Sequence, residues 1–127
     1  MARRGPRWLV VDAERFAWSV GHRPEDGGET LRLRREGSRG QLLVVFSSGG
    51  GHLAADGHPM HAGLIQHADG RQLNLNQPGV ARAVLDEALA LGWQPGAPGP
   101  ARLDGWSLFD AVAQRRAEAA SPGDDGA

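Results

Sequence analysis

The chain of 127 residues contains no cysteine, no lysine and no tyrosine, and it has no long uninterrupted apolar run. Without cysteine, a disulfide framework, a thiolate metal site and a cysteine nucleophile are all excluded. Without lysine, the glycine-rich stretch FSSGGGH at residues 46–52 does not match the phosphate-binding P-loop motif, which requires a lysine. The first apolar run stops at Val11, and no segment approaches the ~18 apolar residues of a membrane span. We therefore expect a cytoplasmic protein without a membrane segment.

Size and charge favour one ordinary domain. A chain of this length buries roughly two-thirds of its unfolded surface on folding, which is enough for one core. The net charge is −1, and all fourteen basic residues are arginine, a usage typical of a GC-rich bacterial genome. The positions of apolar and of small polar residues along the chain predict a flexible N-terminus at residues 1–6, a single α+β domain at 7–116 and a disordered tail at 117–127.

The segment RWLVVDAERFAWSV predicts two antiparallel strands, because its apolar residues alternate with a period of two. We expect the chain to reverse around Ala13 and Glu14. The predicted inner face carries Leu9, Val11, Phe16, Trp18 and Val20. The predicted outer face carries Trp8, Val10, Ala17 and Ser19.

Further strands are predicted as far as residue 75. TLRLRR alternates apolar and basic side chains, and LLVVF is apolar on both faces, so it is the expected central strand. The Asp69-Gly70 pair predicts a tight hairpin turn. A two-residue turn there would place His67 opposite Gln72, on the wetter face with Ile65.

Two helices follow these strands. Pro78 suits the first position of a helix and Gly92 suits its end, where a left-handed residue is favoured. After the linker PGAPGP, Asp104 or Ser107 can cap a second helix. The predicted fold is thus α+β, with about six mostly antiparallel strands and then two helices packed on one face of the sheet. We expect it to be held together by a core containing Leu9, Val11, Trp18, Val44, Val84, Leu85, Trp93 and Phe109.

The strand FAWSV and the segment PGVARAVLDEALALGWQPG together resemble a group of short bacterial proteins. These proteins share an N-terminal Phe-x-Trp-x-Val hairpin and a helix closed by Gly-Trp-x-Pro. The similarity extends over most of residues 7–115. It implies the fold, and it implies no activity, substrate or catalytic residue.

Four histidines at residues 52–67 form the segment that most resembles a reactive site. His52, His58, His61 and His67 are separated by six, three and six residues, whereas zinc-binding pairs are usually spaced for one face of a helix or strand. The favoured interpretation is that these side chains are scattered. The alternative is a metal or ligand site, or a small enzyme, that uses His52, His58 and His61 on the 47–62 loop. No cofactor is expected.

A second candidate site combines basic and aromatic side chains of the first strands. Trp8 is the aromatic residue expected to be exposed, and Arg32, Arg34 and Arg35 lie near it on the predicted sheet. An exposed tryptophan beside arginines is typical of protein contacts. The leading hypothesis is a small non-catalytic interaction or regulatory accessory module whose partner is another protein.

The sequence also suggests two other associations. Weak nucleic-acid binding through the arginine-rich strand is the third functional hypothesis, and the near-neutral charge disfavours it. A homodimer could form through an uncovered sheet edge.

Overall fold

A computed structural model describes residues 7–23, 28–54 and 63–120. It contains eight strands and two helices within those ranges. In chain order they are β1 (Arg7–Val11), β2 (Glu14–Arg23), β3 (Gly28–Arg35), β4 (Gln41–Phe46), β5 (Leu53–Ala54), β6 (Leu64–Gln66), β7 (Gln72–Asn74), α1 (Pro78–Ala90), β8 (Pro100–Asp104) and α2 (Gly105–Ala120).

The predicted α+β architecture is confirmed. Five strands form the main sheet in the order β1-β2-β3-β4-β8, and β5, β6 and β7 form a smaller sheet. Both helices contribute side chains to a core on one face of the main sheet, because alternate strand residues point to that face and pack against apolar helix residues. The core includes all eight residues predicted for it, with Leu9 and Trp93 partly buried at its margin. Within the described ranges, neither helix is long and apolar enough to cross a membrane.

The first hairpin has the predicted faces, but its turn lies one residue earlier than expected. Val11 pairs with Glu14, so the two-residue turn is Asp12-Ala13. Both turn residues have positive φ, 51° and 68°, as a type I′ turn requires. This turn matches the right-handed twist of the flanking strands, which offsets the cost of placing an alanine in the left-handed region.

The strand β8 is absent from the sequence-based prediction, which treated its first residue as the end of a linker. It lies beside β4 and is the one parallel strand of the main sheet. The helix α1 supplies the crossover that a parallel connection needs. The segment before β8 passes close to Gly40, just before β4. A Cβ at position 40 would meet the carbonyl oxygens of Pro95 and Ala97, so glycine is needed there.

The helix ends agree with the sequence signals. Pro78 opens α1, and Gly92 follows it with a φ of 104°. The side chain of Asp104 accepts a hydrogen bond from the backbone N–H of Trp106 at 3.1 Å, which caps α2. The helix α2 continues to Ala120, so residues 117–120 of the predicted disordered tail are helical.

The register of the small hairpin differs from the prediction. Ile65 pairs with Leu73 and Gln66 pairs with Gln72. The backbone N–H of His67 donates to the carbonyl of Arg71, so three residues, not two, form the loop. The shift by one residue places Ile65 and Leu73 on the same face, where Ile65 is fully buried.

Candidate functional site

The outer face of the main sheet carries a basic surface that the helices do not cover. We define the arginine surface as Trp8 and Val10 on β1, Arg15 on β2, Arg32 and Arg34 on β3, and Arg102 on β8. The strand register sets these positions, since Trp8 pairs with Ala17, which pairs with Arg34. A second row crosses the sheet from Ser19 through Arg32 and Leu43 to Arg102. Adjacent strands lie about 4.8 Å apart, so Arg32 and Arg102 are separated by about 10 Å at the backbone.

Three of these arginines are not neutralised by the rest of the described chain. Arg32, Arg34 and Arg102 are exposed and form no ion pair with any carboxylate in the described ranges. Arg15 differs, because it pairs with Glu36 at 3.0 Å. Arg32 and Arg34, together with Ala17 and Ser19, line an open depression.

Apolar side chains adjoin this charge. Trp8 is 42% exposed and Val10 is 63% exposed, and the guanidinium of Arg15 lies 4.2 Å from the centre of the Trp8 ring. The exposure of Trp8 expected from strand alternation is thus observed. A rigid aromatic ring beside cations is the composition enriched at protein contacts.

Arg35 does not belong to this surface. It pairs with Phe16 across the sheet and therefore lies on the opposite face of β3 from Arg32 and Arg34. Its side chain donates to Ser38 Oγ at 2.9 Å and pairs with Glu14 at 3.3 Å. The four residues proposed from the sequence therefore do not form one surface, and Arg102 occupies a place on it that the sequence did not indicate.

The histidine segment is organised around aromatic side chains. The His52 ring stacks on Trp106, with centroids 4.2 Å apart and an interplanar angle of 13°. His67 lies edge-on to His52 at 4.6 Å and contacts Phe109 at 5.0 Å. The expectation that His67 lies on the wetter face with Ile65 was wrong, because Ile65 is fully buried and the His67 ring contacts Phe109 on α2.

Each of these two imidazoles accepts a hydrogen bond from a backbone N–H group. His52 Nδ1 accepts a hydrogen bond from the N–H of Ala68 at 3.0 Å, and His67 Nδ1 accepts one from the N–H of Asp69 at 3.2 Å. These bonds hold the 67–71 loop in place, and the ring contacts of His52 and His67 join it to α2, which is a structural role. In the part of the chain that the structure describes, no three histidine or carboxylate side chains are placed to hold a metal ion. The proposed ligands His58 and His61 lie outside the described residues.

An ion network anchors the same loop. Hydrogen bonds from the Arg71 side chain and backbone hold the pKa of Asp69 well below its ordinary value. Asp69, and then Asp110 on α2, raise the pKa of Arg71 in turn. Both groups therefore stay charged throughout the physiological range.

One buried carboxylate escaped the sequence analysis. Glu29 is 1% exposed, accepts the N–H of Gly63 at 3.0 Å through Oε1, and lies 2.7 Å from His22 Nδ1 through Oε2. It joins the main sheet to the start of β6. His22 and Glu29 pair across β2 and β3. Their contact could have been predicted from the sequence only if the register of these two strands had been known.

Comparison with known proteins provides no relative. No family model, no curated protein and no solved structure matches the chain.

Proposed function

We propose that this protein is a protein-interaction module that binds an acidic segment of a partner through the arginine surface. One observation carries the proposal: Arg32, Arg34 and Arg102 have no carboxylate partner in the described ranges and share a sheet face with the exposed Trp8 and Val10. Carboxylate side chains would complement the charge, and an apolar residue of the partner would cover Trp8. Arginine also forms bidentate pairs with carboxylates, which gives the contact a preferred geometry.

An acidic protein segment fits this surface better than a nucleic acid. The whole chain has a net charge of −1, which gives weak general attraction for a phosphate backbone. Binding of single strands commonly relies on several aromatic rings that stack on successive bases. The arginine surface has a single ring, Trp8, and Arg15 covers part of it.

The hypothesis of a metal or ligand site on the 47–62 loop stays a prediction. The first of its three histidines, His52, already accepts a hydrogen bond at Nδ1 from Ala68 and stacks on Trp106. No contact of the described residues favours it over the arginine surface.

The proposal is tested with a fluorescently labelled peptide of twelve residues that contains glutamates and one central phenylalanine. Fluorescence anisotropy would compare the wild-type protein with the double variant Arg32→Glu and Arg34→Glu. We expect the variant to lose about tenfold or more in affinity, which corresponds to about 1.4 kcal/mol. Binding by the wild type should also weaken with salt, because exposed charges are screened.

The matched control is the double variant Arg82→Glu and Arg115→Glu, which also reverses two exposed charges but on the helices, away from the arginine surface. It should bind the peptide like the wild type. A labelled single-stranded oligonucleotide of twelve nucleotides serves as the competing probe. The proposal is wrong if the variant of Arg32 and Arg34 binds the peptide as well as the control does, or if the oligonucleotide binds more tightly than the peptide.

A further inference from the structure

The strand β1 forms an edge of the main sheet and shows few of the features that protect such edges. Among the strands of the described ranges it pairs with β2 alone. Its sequence, RWLVV, contains no proline and no central charge, and two of its five side chains are exposed apolar groups, Trp8 and Val10. Natural edge strands are usually blunted by lysine, proline, a bulge or a covering element, because an open edge offers its backbone to another chain.

The backbone groups that β1 presents at this edge follow from its hairpin. In a hairpin closed by a two-residue turn, the residues that flank the turn exchange both hydrogen bonds. Val11 therefore directs its N–H and C=O groups toward β2, and so do Leu9 and Arg7, since the pattern alternates along an antiparallel pair. Trp8 and Val10 direct theirs away from the sheet. Within the described ranges no other strand pairs with these outward groups, so they are open to water or to a strand of another chain.

A second copy of the same strand fits this pattern. If two β1 strands pair antiparallel about a two-fold axis at Leu9, Trp8 of each copy lies opposite Val10 of the other. This register joins residues whose backbone groups point outward, and it sets the exposed apolar side chains of the two copies side by side on an outer face that stays open. It also pairs all five residues of β1. A register centred on Trp8 would place Val10 opposite Pro6, which has no N–H to donate.

The opposite edge of the main sheet lacks these properties. β8 begins with Pro100 and places Arg102 and Asp104 at alternate positions. Proline and charged side chains are the usual means by which an edge strand is kept from pairing. The two edges are therefore unequal, and β1 is the one suited to self-association.

We propose that the protein forms a two-fold symmetric dimer in which two β1 strands pair antiparallel about Leu9. The two main sheets then become one ten-stranded sheet. The arginine surfaces of the two copies lie on the same side of it and present one continuous face. This inference does not depend on the acidic partner proposed above, because its test uses the protein alone.

Cysteine cross-linking tests the register, since the chain has no cysteine of its own. Opposed residues of a non-hydrogen-bonded pair have Cα atoms about 4.5 Å apart, within the range of a disulfide. We expect Leu9→Cys to give a disulfide-linked dimer under mild oxidation. Val10→Cys is the matched control, because in this register its two copies are offset by two residues and lie beyond disulfide reach. Random collision would instead favour position 10, which is the more exposed of the two.

Sedimentation equilibrium tests the association itself, whether or not Leu9→Cys folds well. The wild type should show a mass that rises with concentration toward twice the 13.5 kDa of one chain. Val10→Lys should stay at the mass of one chain, whereas Leu91→Lys should behave like the wild type. Val10 and Leu91 are both 63% exposed. The two variants therefore replace equally exposed side chains and differ only in whether the position lies on β1. The proposal is overturned if the wild type keeps the mass of one chain up to about 1 mM, if Val10→Lys associates normally, or if Val10→Cys cross-links as readily as Leu9→Cys.

Discussion

Glu29 is a single residue on which two parts of the structure depend. Its carboxylate is buried and links His22 on β2 to the backbone of Gly63 at the start of β6. Replacing Glu29 with alanine leaves a buried N–H without an acceptor and removes the partner of an imidazole. Each unsatisfied buried group costs about 1–3 kcal/mol, so we expect Glu29→Ala to lower the free energy of unfolding by about 2–4 kcal/mol in urea denaturation. Glu29→Gln keeps an acceptor for Gly63 and should lose less than half as much. Equal losses in the two variants would mean that the hydrogen bond to Gly63 contributes little.

Gly40 is required for close packing and not for an unusual backbone angle. A Cβ there would overlap the carbonyl oxygens of Pro95 and Ala97, which the backbone cannot easily move. We expect Gly40→Ala to cost about 1–3 kcal/mol, as overpacked substitutions do. Gly21→Ala is the matched control, since a Cβ at that position meets nothing within 4 Å. It should change stability by less than about 1 kcal/mol. Thermal unfolding of both variants checks the pair, and an undisturbed Gly40→Ala would contradict the packing described for the 95–97 segment.

The residues of the candidate sites were only partly predictable from local sequence patterns. Strand alternation gave the exposure of Trp8 and the shared face of Arg32 and Arg34. The same alternation places Arg35 on the opposite face, although it is adjacent to Arg34 in sequence. Glu29 and the stacking of His52 on Trp106 depend on contacts between distant segments, and local patterns carry no information on those contacts.

At the scale of elements, α1 holds the helical layer to the sheet. Val84 is fully buried at the centre of its apolar stripe. A charge placed there would have no partner, at a cost of about 3–5 kcal/mol, which is a large part of the 5–15 kcal/mol that typically stabilises a domain. We expect Val84→Asp to be unfolded or nearly so at 25 °C by circular dichroism. Arg82→Asp, on the exposed side of the same helix, should lose about 1 kcal/mol or less. A native spectrum and normal melting for Val84→Asp would show that the interface between helix and sheet is wrongly placed.

Elements with a regular apolar periodicity could be predicted from the sequence. Elements whose position depends on hydrogen bonds to another strand were harder to predict. The hairpin of β1 and β2, the strand β4 and both helices follow from periods of 2 and 3.6. The strand β8 is short and begins in a run of proline and glycine, so its composition indicates a linker. Its place beside β4 follows from α1 bringing the chain back across the sheet. The register of β6 and β7 depended on whether two or three residues form the loop, and the sequence Asp-Gly fits both.

At the scale of the whole molecule, the two faces of the main sheet have different roles. One face packs against the helices and forms the core, so its residues are apolar and buried. The other presents Arg32, Arg34 and Arg102 beside exposed apolar groups, an arrangement that contributes little to folding. Because surface charges contribute little to stability, reversing Arg32 and Arg34 should leave the melting temperature nearly unchanged. A folded variant that does not bind would thus separate function from stability.

The most direct test of the account locates the bound peptide by nuclear magnetic resonance. The labelled protein would be titrated with the acidic twelve-residue peptide, and the amide and indole shifts would be mapped on the fold. The account predicts the largest changes at the Trp8 indole and at the amides of Ala17, Ser19, Arg32, Arg34, Leu43 and Arg102. Changes concentrated on α1, on α2 or around His52 and Trp106, with the arginine surface unaffected, would contradict it.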